Sequence, residues 1–261
     1  MSTTIVCLLL TTIVWQSFDS PTDTILPKQH LKAGALLYSA KSKTNSSTGI
    51  FRLSMQTDGN LVQFPASAPT STPYAYYTSN TPGSGNNVTL NLDVDGHLYL
   101  LNNTGFTIHN FTNGAIDEGK SYLVRLDVDG ILRLYSYSLK NNGNWSVEWS
   151  SSRNKCVPFG LCGFNSYCVT KDLEAECKCL PGFEFITPGD QTSGCGRNMV
   201  ANFCKSENEN FTYIMEELPY TRWENVAYMT WSSSDKEECN KACLEDCNCE
   251  AAIFTDGSCR K

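Results

Sequence analysis

The sequence is poor in charge, poor in histidine and free of long apolar runs, and each shortage closes off a class of function. Only 18% of its 261 residues are charged, and the net charge of −7 comes without a Lys/Arg stripe, so it offers no surface for nucleic acid. No apolar run reaches the roughly 18 residues of a membrane span. The histidines are His30, His97 and His109, all ahead of the cysteine-rich last third, which leaves no Cys/His zinc site there. An all-cysteine zinc cluster needs paired C-x2-C units, and the chain carries C-x-C and C-x3-C instead. G-x-S-x-G, H-E-x-x-H and the phosphate-binding loop are missing as well. No metal and no cofactor are called for.

Cysteine itself is plentiful but unevenly placed. Of 13 cysteines, one is Cys7 and all others follow residue 155. That density points to disulfides made in an oxidising compartment, hence to an extracellular or secreted protein. Six N-x-S/T sequons, at Asn45, Asn87, Asn102, Asn110, Asn144 and Asn210, agree with secretion and are candidate glycosylation sites. The N-terminus admits two readings. IVCLLLTTIV (5–14) has the length of a signal-peptide core but lacks a basic flank and a small-x-small cleavage site. Its Ile, Val and Thr content fits a buried β-strand instead.

The plentiful Ser, Thr, Asn and Gly suit a short-strand, loop-rich β protein. Within it one phrase recurs: SMQTDGNLVQF (54–64), NLDVDGHLYLL (91–101) and RLDVDGILRLY (125–135). The spacings Asp58 to Asp95 and Asp95 to Asp129, 37 and 34 residues, mark a repeat architecture. Asp-Gly signals a hairpin, and a three-residue loop with a left-handed glycine keeps the leucines in register. Thr57, Asp58 and Gly59 then form the first loop, with Gln56 facing Asn60. Leu53, Met55 and Leu61 share one face of that hairpin, and Gln56, Asn60, Val62 and Phe64 the other. Leu90, Leu92, Leu98 and Leu100 line the inner face of copy two; Val124, Leu126, Leu132 and Leu134 line that of copy three. A lone hairpin cannot bury such a face, whereas three can by pointing at a common axis, with Phe51, Tyr99, Phe106, Tyr122 and Trp145 as candidate filling. A calcium loop needs D-x-D-x-D-G and a glutamate at its twelfth position, and neither later copy supplies them.

Copy one, Gln56-Thr57-Asp58-Gly59-Asn60-Leu61-Val62-Gln63-Phe64, resembles the Q-x-D-x-N-x-V-x-Y motif of bulb-type, monocot mannose-binding lectins, with four of five specified positions agreeing. WQSFDSPTDTILP (15–27) resembles the closing segment of a bulb-lectin domain in plant G-type lectin S-receptor-like kinases, and the cysteine pattern extends the likeness over nearly the whole chain. The resemblance implies a mainly β fold. A bulb-lectin-like β-prism II would span 31–152, an EGF-like module 156–195 and a partial, α+β PAN module 200–261. Residues 1–30 would be the remnant of a preceding bulb-lectin domain, or a signal-like segment. It also implies a mannose-type glycan site, with Gln56, Asp58 and Asn60 bonding sugar hydroxyls and Val62 packing on the apolar face. Phe64 lacks the phenolic hydroxyl of the motif, a loss of about 0.5–1.5 kcal/mol. Copies two and three depart further and are not expected to hold sugar. The alternative is a hairpin kept for structure, in a scaffold that binds proteins, peptides, receptor partners or a second copy.

The spacings among Cys156, Cys162, Cys168, Cys177, Cys179 and Cys195, with C-x-C before LPGF (180–183), are EGF-like. A module of that size leans on crosslinks worth roughly 2–4 kcal/mol each. The resemblance implies Cys156–Cys168, Cys162–Cys177 and Cys179–Cys195. SSRNK (151–155) stands where calcium-binding EGF modules carry acids, so no calcium is expected. Further on, Ser234 and Glu237 spell a capping box for a helix running to about Leu244, with Cys239 and Cys243 on one face. By analogy with the PAN module the pairs are Cys239–Cys259 and Cys243–Cys249, with Cys204–Cys247 remaining and Cys7 left over. The family's PAN module continues beyond the position of Lys261, so the chain reads as truncated. A kinase needs a Gly-rich loop, a strand lysine, H-R-D and D-F-G, and the sequence contains none of these, so it is not expected to be an enzyme.

Overall fold

The structure is a computed structural model that describes residues 22–114, 119–138, 143–197, 214–218, 227–233, 235–249 and 251–261. Cys7, Cys204, Asn210 and Ser234 lie outside the described residues. The chain divides into two compact units, 1–159 and 160–261.

The first unit is built from short strands in chain order: β1 (Thr24–Ile25), β2 (His30–Leu31), β3 (Leu36–Ser42), β4 (Asn45–Met55), β5 (Leu61–Pro65), β6 (Tyr77–Thr78), β7 (Thr89–Leu92), β8 (Leu98–Leu101), β9 (Thr107–Asn110), β10 (Lys120–Leu126), β11 (Leu132–Ser138) and β12 (Asn144–Ser150). They make three four-stranded sheets, β3-β4-β5-β6, β2-β7-β8-β9 and β1-β10-β11-β12. A domain edge at residue 31 would cut this network. Thr24–Ile25 pairs with β10 and His30–Leu31 with β7, so this leading segment joins two sheets at their edges.

Each sheet is centred on one copy of the repeated phrase. Met55 opposite Leu61, Leu92 opposite Leu98 and Leu126 opposite Leu132 close the three hairpins. Beyond each pair the same loop follows. The Gln56, Asp93 and Asp127 N–H groups donate to the carbonyls of Asn60, His97 and Ile131 at 2.9, 2.9 and 3.1 Å. Gly59, Gly96 and Gly130 hold φ of 91°, 81° and 80°, the left-handed conformation that the three-residue loop requires. The aspartate before each glycine accepts from the residue after it: Asn60 N–H to Asp58 at 3.0 Å, His97 N–H to Asp95 at 3.1 Å and Ile131 N–H to Asp129 at 3.2 Å. Asp-Gly recurs because the turn needs both residues.

The leucines meet inside as expected: Leu53, Met55, Leu61, Leu90, Leu98, Leu100, Val124, Leu126 and Leu132 are fully buried. The sheets also interlock in a ring. A Cβ on Gly59 would come within 3.0 Å of Val88, one on Gly96 within 2.7 Å of Tyr122, and one on Gly130 within 2.7 Å of Phe51. Every turn therefore abuts the next sheet, and the third returns to the first. The aromatic filling differs in part from expectation. Phe51 and Tyr122 are buried, but Phe106 and Trp145 are 71% and 53% exposed. The last strand or segment of each sheet supplies an aromatic instead: the Trp149 ring centre lies 5.3 Å from Phe111 and 6.5 Å from Tyr77. Burial pushes the Tyr77 phenol up to about 12.

The second unit contains two hairpins, β13 (Ser166–Lys171) with β14 (Glu174–Cys179) and β15 (Phe183–Phe185) with β16 (Cys195–Arg197). Cys162–Cys177 and Cys179–Cys195 are bonded with Cα separations of 5.4 and 5.6 Å. Cys156, Cys168 and Cys247 are disulfide-bonded too. Later residues form β17 (Thr230–Ser232), helix α1 (Lys236–Leu244), β18 (Ile253–Thr255) and β19 (Ser258–Arg260), with sheet order β17-β19-β18. Buried Cys239 and Cys243 of α1 are bonded to Cys259 and Cys249. The N-cap is Asp235, whose carboxylate accepts from Glu238 N–H at 2.8 Å, one residue later than the Ser234/Glu237 box predicts. A carboxylate at this end also complements the helix dipole.

Candidate carbohydrate site

The five motif positions of copy one do not meet in one pocket. Gln56 and Asp58 line a shallow groove of about 350 Å³, together with Ser54, Thr57 and Thr70. Asn60 faces elsewhere. Its Oδ1 accepts from Thr78 Oγ1 at 2.9 Å, Ser79 Oγ at 3.0 Å and Thr81 N–H at 3.3 Å, which leaves only its Nδ2 donors. Val62 and Phe64 occupy the strand face opposite the core leucines, as the alternation predicts, yet they are only 3% and 1% exposed.

Arg52 covers Phe64, while Val62 lies between Ser54 and Thr78 in the sheet. Arg52 sits opposite Phe64 in the register, with its guanidinium 5.3 Å over the phenyl ring. Its Nη atoms donate to Ala66 O at 3.3 Å, Ala68 O at 2.7 Å and Thr70 Oγ1 at 3.3 Å. The connector at 66–70 is thereby tied across the outer face of the sheet. Arg52 Nε is buried without a hydrogen-bond partner. The apolar half of the motif is buried, Phe64 beneath Arg52, and its polar half splits between the groove and a structural staple.

The other copies fill their equivalent positions in their own ways. In copy two His97 stacks on Tyr99 at 4.3 Å and its Nε2 lies 2.8 Å from Asn110 Oδ1. Burial, then the neighbouring Asp93, raise the Tyr99 phenol. In copy three Arg133 stands where the motif has valine. It donates to Asp129 Oδ1 and Oδ2 at 2.8 and 2.7 Å and to Asp127 Oδ2 at 2.5 Å. Arg125 and the Tyr135 hydroxyl also donate to Asp127, at 2.7 and 2.5 Å. Burial alone would lower the Arg133 value, but bonding to Asp129 and Asp127 outweighs it and raises it overall. A guanidinium occupies this slot, and both carboxylates are committed to it.

Sequence reasoning passed over Arg52, Arg133 and the hydroxyls that lock each hairpin. Ser79 Oγ accepts Leu61 N–H at 2.9 Å, Thr112 Oγ1 accepts Leu98 N–H at 2.9 Å, and Ser151 Oγ accepts Leu132 N–H at 3.1 Å. Arg133 was visible as a charge at an apolar motif position. Arg52 was not, because its role depends on where the 66–70 connector lies. Asn45, Asn87, Asn110 and Asn144 are exposed and Asn102 is half-buried.

Three hairpin-centred sheets closing in a ring, each turn against the next sheet, define a β-prism of the bulb-lectin class. Residues 102–187 match the S-locus glycoprotein domain. The G-type lectin S-receptor-like serine/threonine-protein kinase LECRK3 of Oryza sativa subsp. indica is 32% identical over 94% of this chain, and the RLK1 kinase of the same type from Arabidopsis thaliana is 27% identical over 93%. These alignments span 32% and 31% of the two relatives, so the chain covers about a third of their length. Over that third, the chain is similar to the plant G-type lectin S-receptor-like kinases. Among solved structures it is similar to a monomeric monocot mannose-binding lectin from Gastrodia elata, with 23% identity and a TM-score of 0.38 over 50% of this chain and 97% of that one. It is likewise similar to the snowdrop (Galanthus nivalis) mannose-specific agglutinin complexed with methyl-α-D-mannoside, with 23% identity and a TM-score of 0.35 over 43% and 88%.

Proposed function

We propose that this chain is the extracellular recognition portion of a lectin-type receptor, and that its first repeat contacts mannose-type glycans through a hydroxyl-reading rim rather than through the whole motif. The observation that carries this reading is the groove beside Gln56 and Asp58, where a carboxamide and a carboxylate flank the hydroxyl-bearing Ser54, Thr57 and Thr70. Such groups exchange hydrogen bonds with sugar hydroxyls directionally. Val62 and Phe64, the apolar positions of the motif, are buried, so a single contact is weak and depends on several acting together. The disulfides suit an oxidising, extracellular setting. No catalysis is assigned to these residues; the kinase activity named in the relatives is left to the remaining two thirds of their length.

A second reading treats the prism as a protein-binding scaffold, and the burial of Val62 and of Phe64, the latter beneath Arg52, favours it. Mannose-column retention separates the two. Gln56 is the variant of choice, because Asp58 closes the turn and Asn60 holds the 78–81 segment. Under the sugar reading the unmutated chain is retarded, Gln56→Ala abolishes the retardation with an unchanged unfolding midpoint, and Arg52→Ala strengthens it by uncovering Phe64. Unretarded passage of both the unmutated chain and Arg52→Ala leaves the scaffold reading standing.

A further inference from the structure

We propose that an N-linked glycan on Asn144 caps the open edge of the third sheet and keeps that edge from pairing with another chain. Among the described residues β12 pairs only with β11, so its other side presents unpaired backbone groups. The other edges of the three prism sheets are defended. β1, β2 and β6 have two residues each, β9 has four, and β3 has two register shifts and carries Lys41. β12 has seven residues and one register shift, at Glu148; its residues 144–147 pair regularly with β11, include neither lysine nor proline, and are all exposed. Trp145 and Val147 are each 53% exposed on it. Its one charge, Glu148, is occupied by Ser136 Oγ at 2.5 Å and Lys120 Nζ at 3.5 Å. An open edge that exposes Trp145 and Val147 on a regularly paired stretch is a template for intermolecular strand pairing.

Asn144 is the first residue of that strand and opens the sequon Asn144-Trp145-Ser146. It pairs with Ser138 in the register and is exposed. Modification transfers an oligosaccharide from a lipid-linked diphosphate donor. The anomeric C–O bond to the diphosphate breaks, a C–N bond to Asn144 Nδ2 forms, one amide proton leaves, and the lipid diphosphate departs. The bulky, hydrated product blocks the approach of a second strand without altering the sheet. β9 repeats the arrangement on a shorter scale, with sequon residue Asn110 as its last residue. The inference rests on the oxidising compartment that the disulfides require, not on sugar binding by the prism.

The test is secretion of the full chain from a glycosylating eukaryotic host. Peptide mass spectrometry reads occupancy at Asn144, and light scattering on a sizing column reads the mass. The expected result is an occupied Asn144 in a monomer, with both Asn144→Gln and Ser146→Ala moving to dimer mass and above while Asn45→Gln stays monomeric. Adding Val147→Lys to Asn144→Gln should restore the monomer by placing a charge on the edge, which a variant that merely misfolds would not allow. An unoccupied Asn144, glycan-free variants that remain monomeric, or association unrelieved by Val147→Lys would each overturn the proposal.

Discussion

The turns of the first and third repeats share a backbone and differ in almost everything attached to it. Both have the same loop hydrogen bonds, the same left-handed glycine and the same capping aspartate. In the first, the outer face is apolar and strapped over by Arg52, with Gln56 and Asp58 at an open rim. In the third, the outer face is charged and sealed by Arg133 between Asp127 and Asp129. The comparison teaches that the fold depends on leucines, Asp-Gly and a ring of turn-to-sheet contacts. The outward positions are left to diverge, and the residues proposed to read sugar occupy just those positions.

The largest effect is expected where the turns touch the ring. Alanine at Gly130 meets the Phe51 ring at 2.7 Å with φ at +80°, and Phe51 is fully buried. The Gly130 carbonyl also accepts from Gln63 Nε2 at 3.0 Å and Tyr76 Oη at 2.9 Å, so the turn has little freedom to move aside. Overpacking plus a left-handed alanine should cost about 2–4 kcal/mol, read as a lower urea midpoint of the prism. Gly59→Ala should cost less, since its nearest neighbour is a Val88 methyl at 3.0 Å. Equal losses at the two sites would mean that the ring contact contributes nothing beyond turn strain.

Next comes the seal of the third slot. Arg133→Ala leaves Asp127 and Asp129 without their shared cation in a mostly covered site, where Arg133 and Asp127 side chains are 12% and 11% exposed. A loss of about 2–4 kcal/mol is expected, since Asp129 loses its bidentate partner and Asp127 is left with Arg125 as its cation. Salt should recover part of it by screening the two carboxylates. Arg52→Ala in the first repeat removes a strap but strands no carboxylate, so a loss of about 1–2 kcal/mol with little salt dependence is expected. If both variants respond alike to salt, charge is not what distinguishes the two slots.

These contrasts bear on what the sequence revealed. The hairpins, their loop length and the inward leucines were legible because strand alternation and turn chemistry are local properties, read within about ten residues of one another. Gln56 facing Asn60 followed from that register. The fate of Val62 and Phe64 did not, because it depends on a connector folding back to Arg52, and alternation says which face a side chain takes but not what covers it. The helix start slipped by one residue for a local reason: Ser234 and Asp235 are both good caps, and Asp235 is the one used. Trp145 was a candidate for the filling because it is aromatic and near the repeats, whereas β12 places it on the exposed part of an edge strand.

The smallest expected effect isolates the position where the first repeat has Phe64 and the third has Tyr135. Tyr135→Phe removes the bond to Asp127, which keeps Arg125 and Arg133 as donors, so the loss at neutral pH should be about 1 kcal/mol. Its pH signature is more specific. Burial, then the bond to and charge of Asp127, raise the Tyr135 phenol above its usual 10.0, against the opposing pull of Arg133 and Arg125. A phenol whose value is raised on folding keeps its proton where the unfolded chain has released it. Its stabilisation is therefore complete below pH 10.0 and is lost as pH climbs through the raised folded value. Tyr77, held near 12 by burial, contributes in the same direction and is present in both proteins. Unfolding midpoints measured above pH 10 should thus fall in the unmutated chain and fall less steeply in Tyr135→Phe, with phenolate absorbance reporting one fewer late-titrating tyrosine. Identical alkaline slopes would show that the Asp127 cluster does not hold the Tyr135 proton, and the third slot would then be sealed by Arg133 alone.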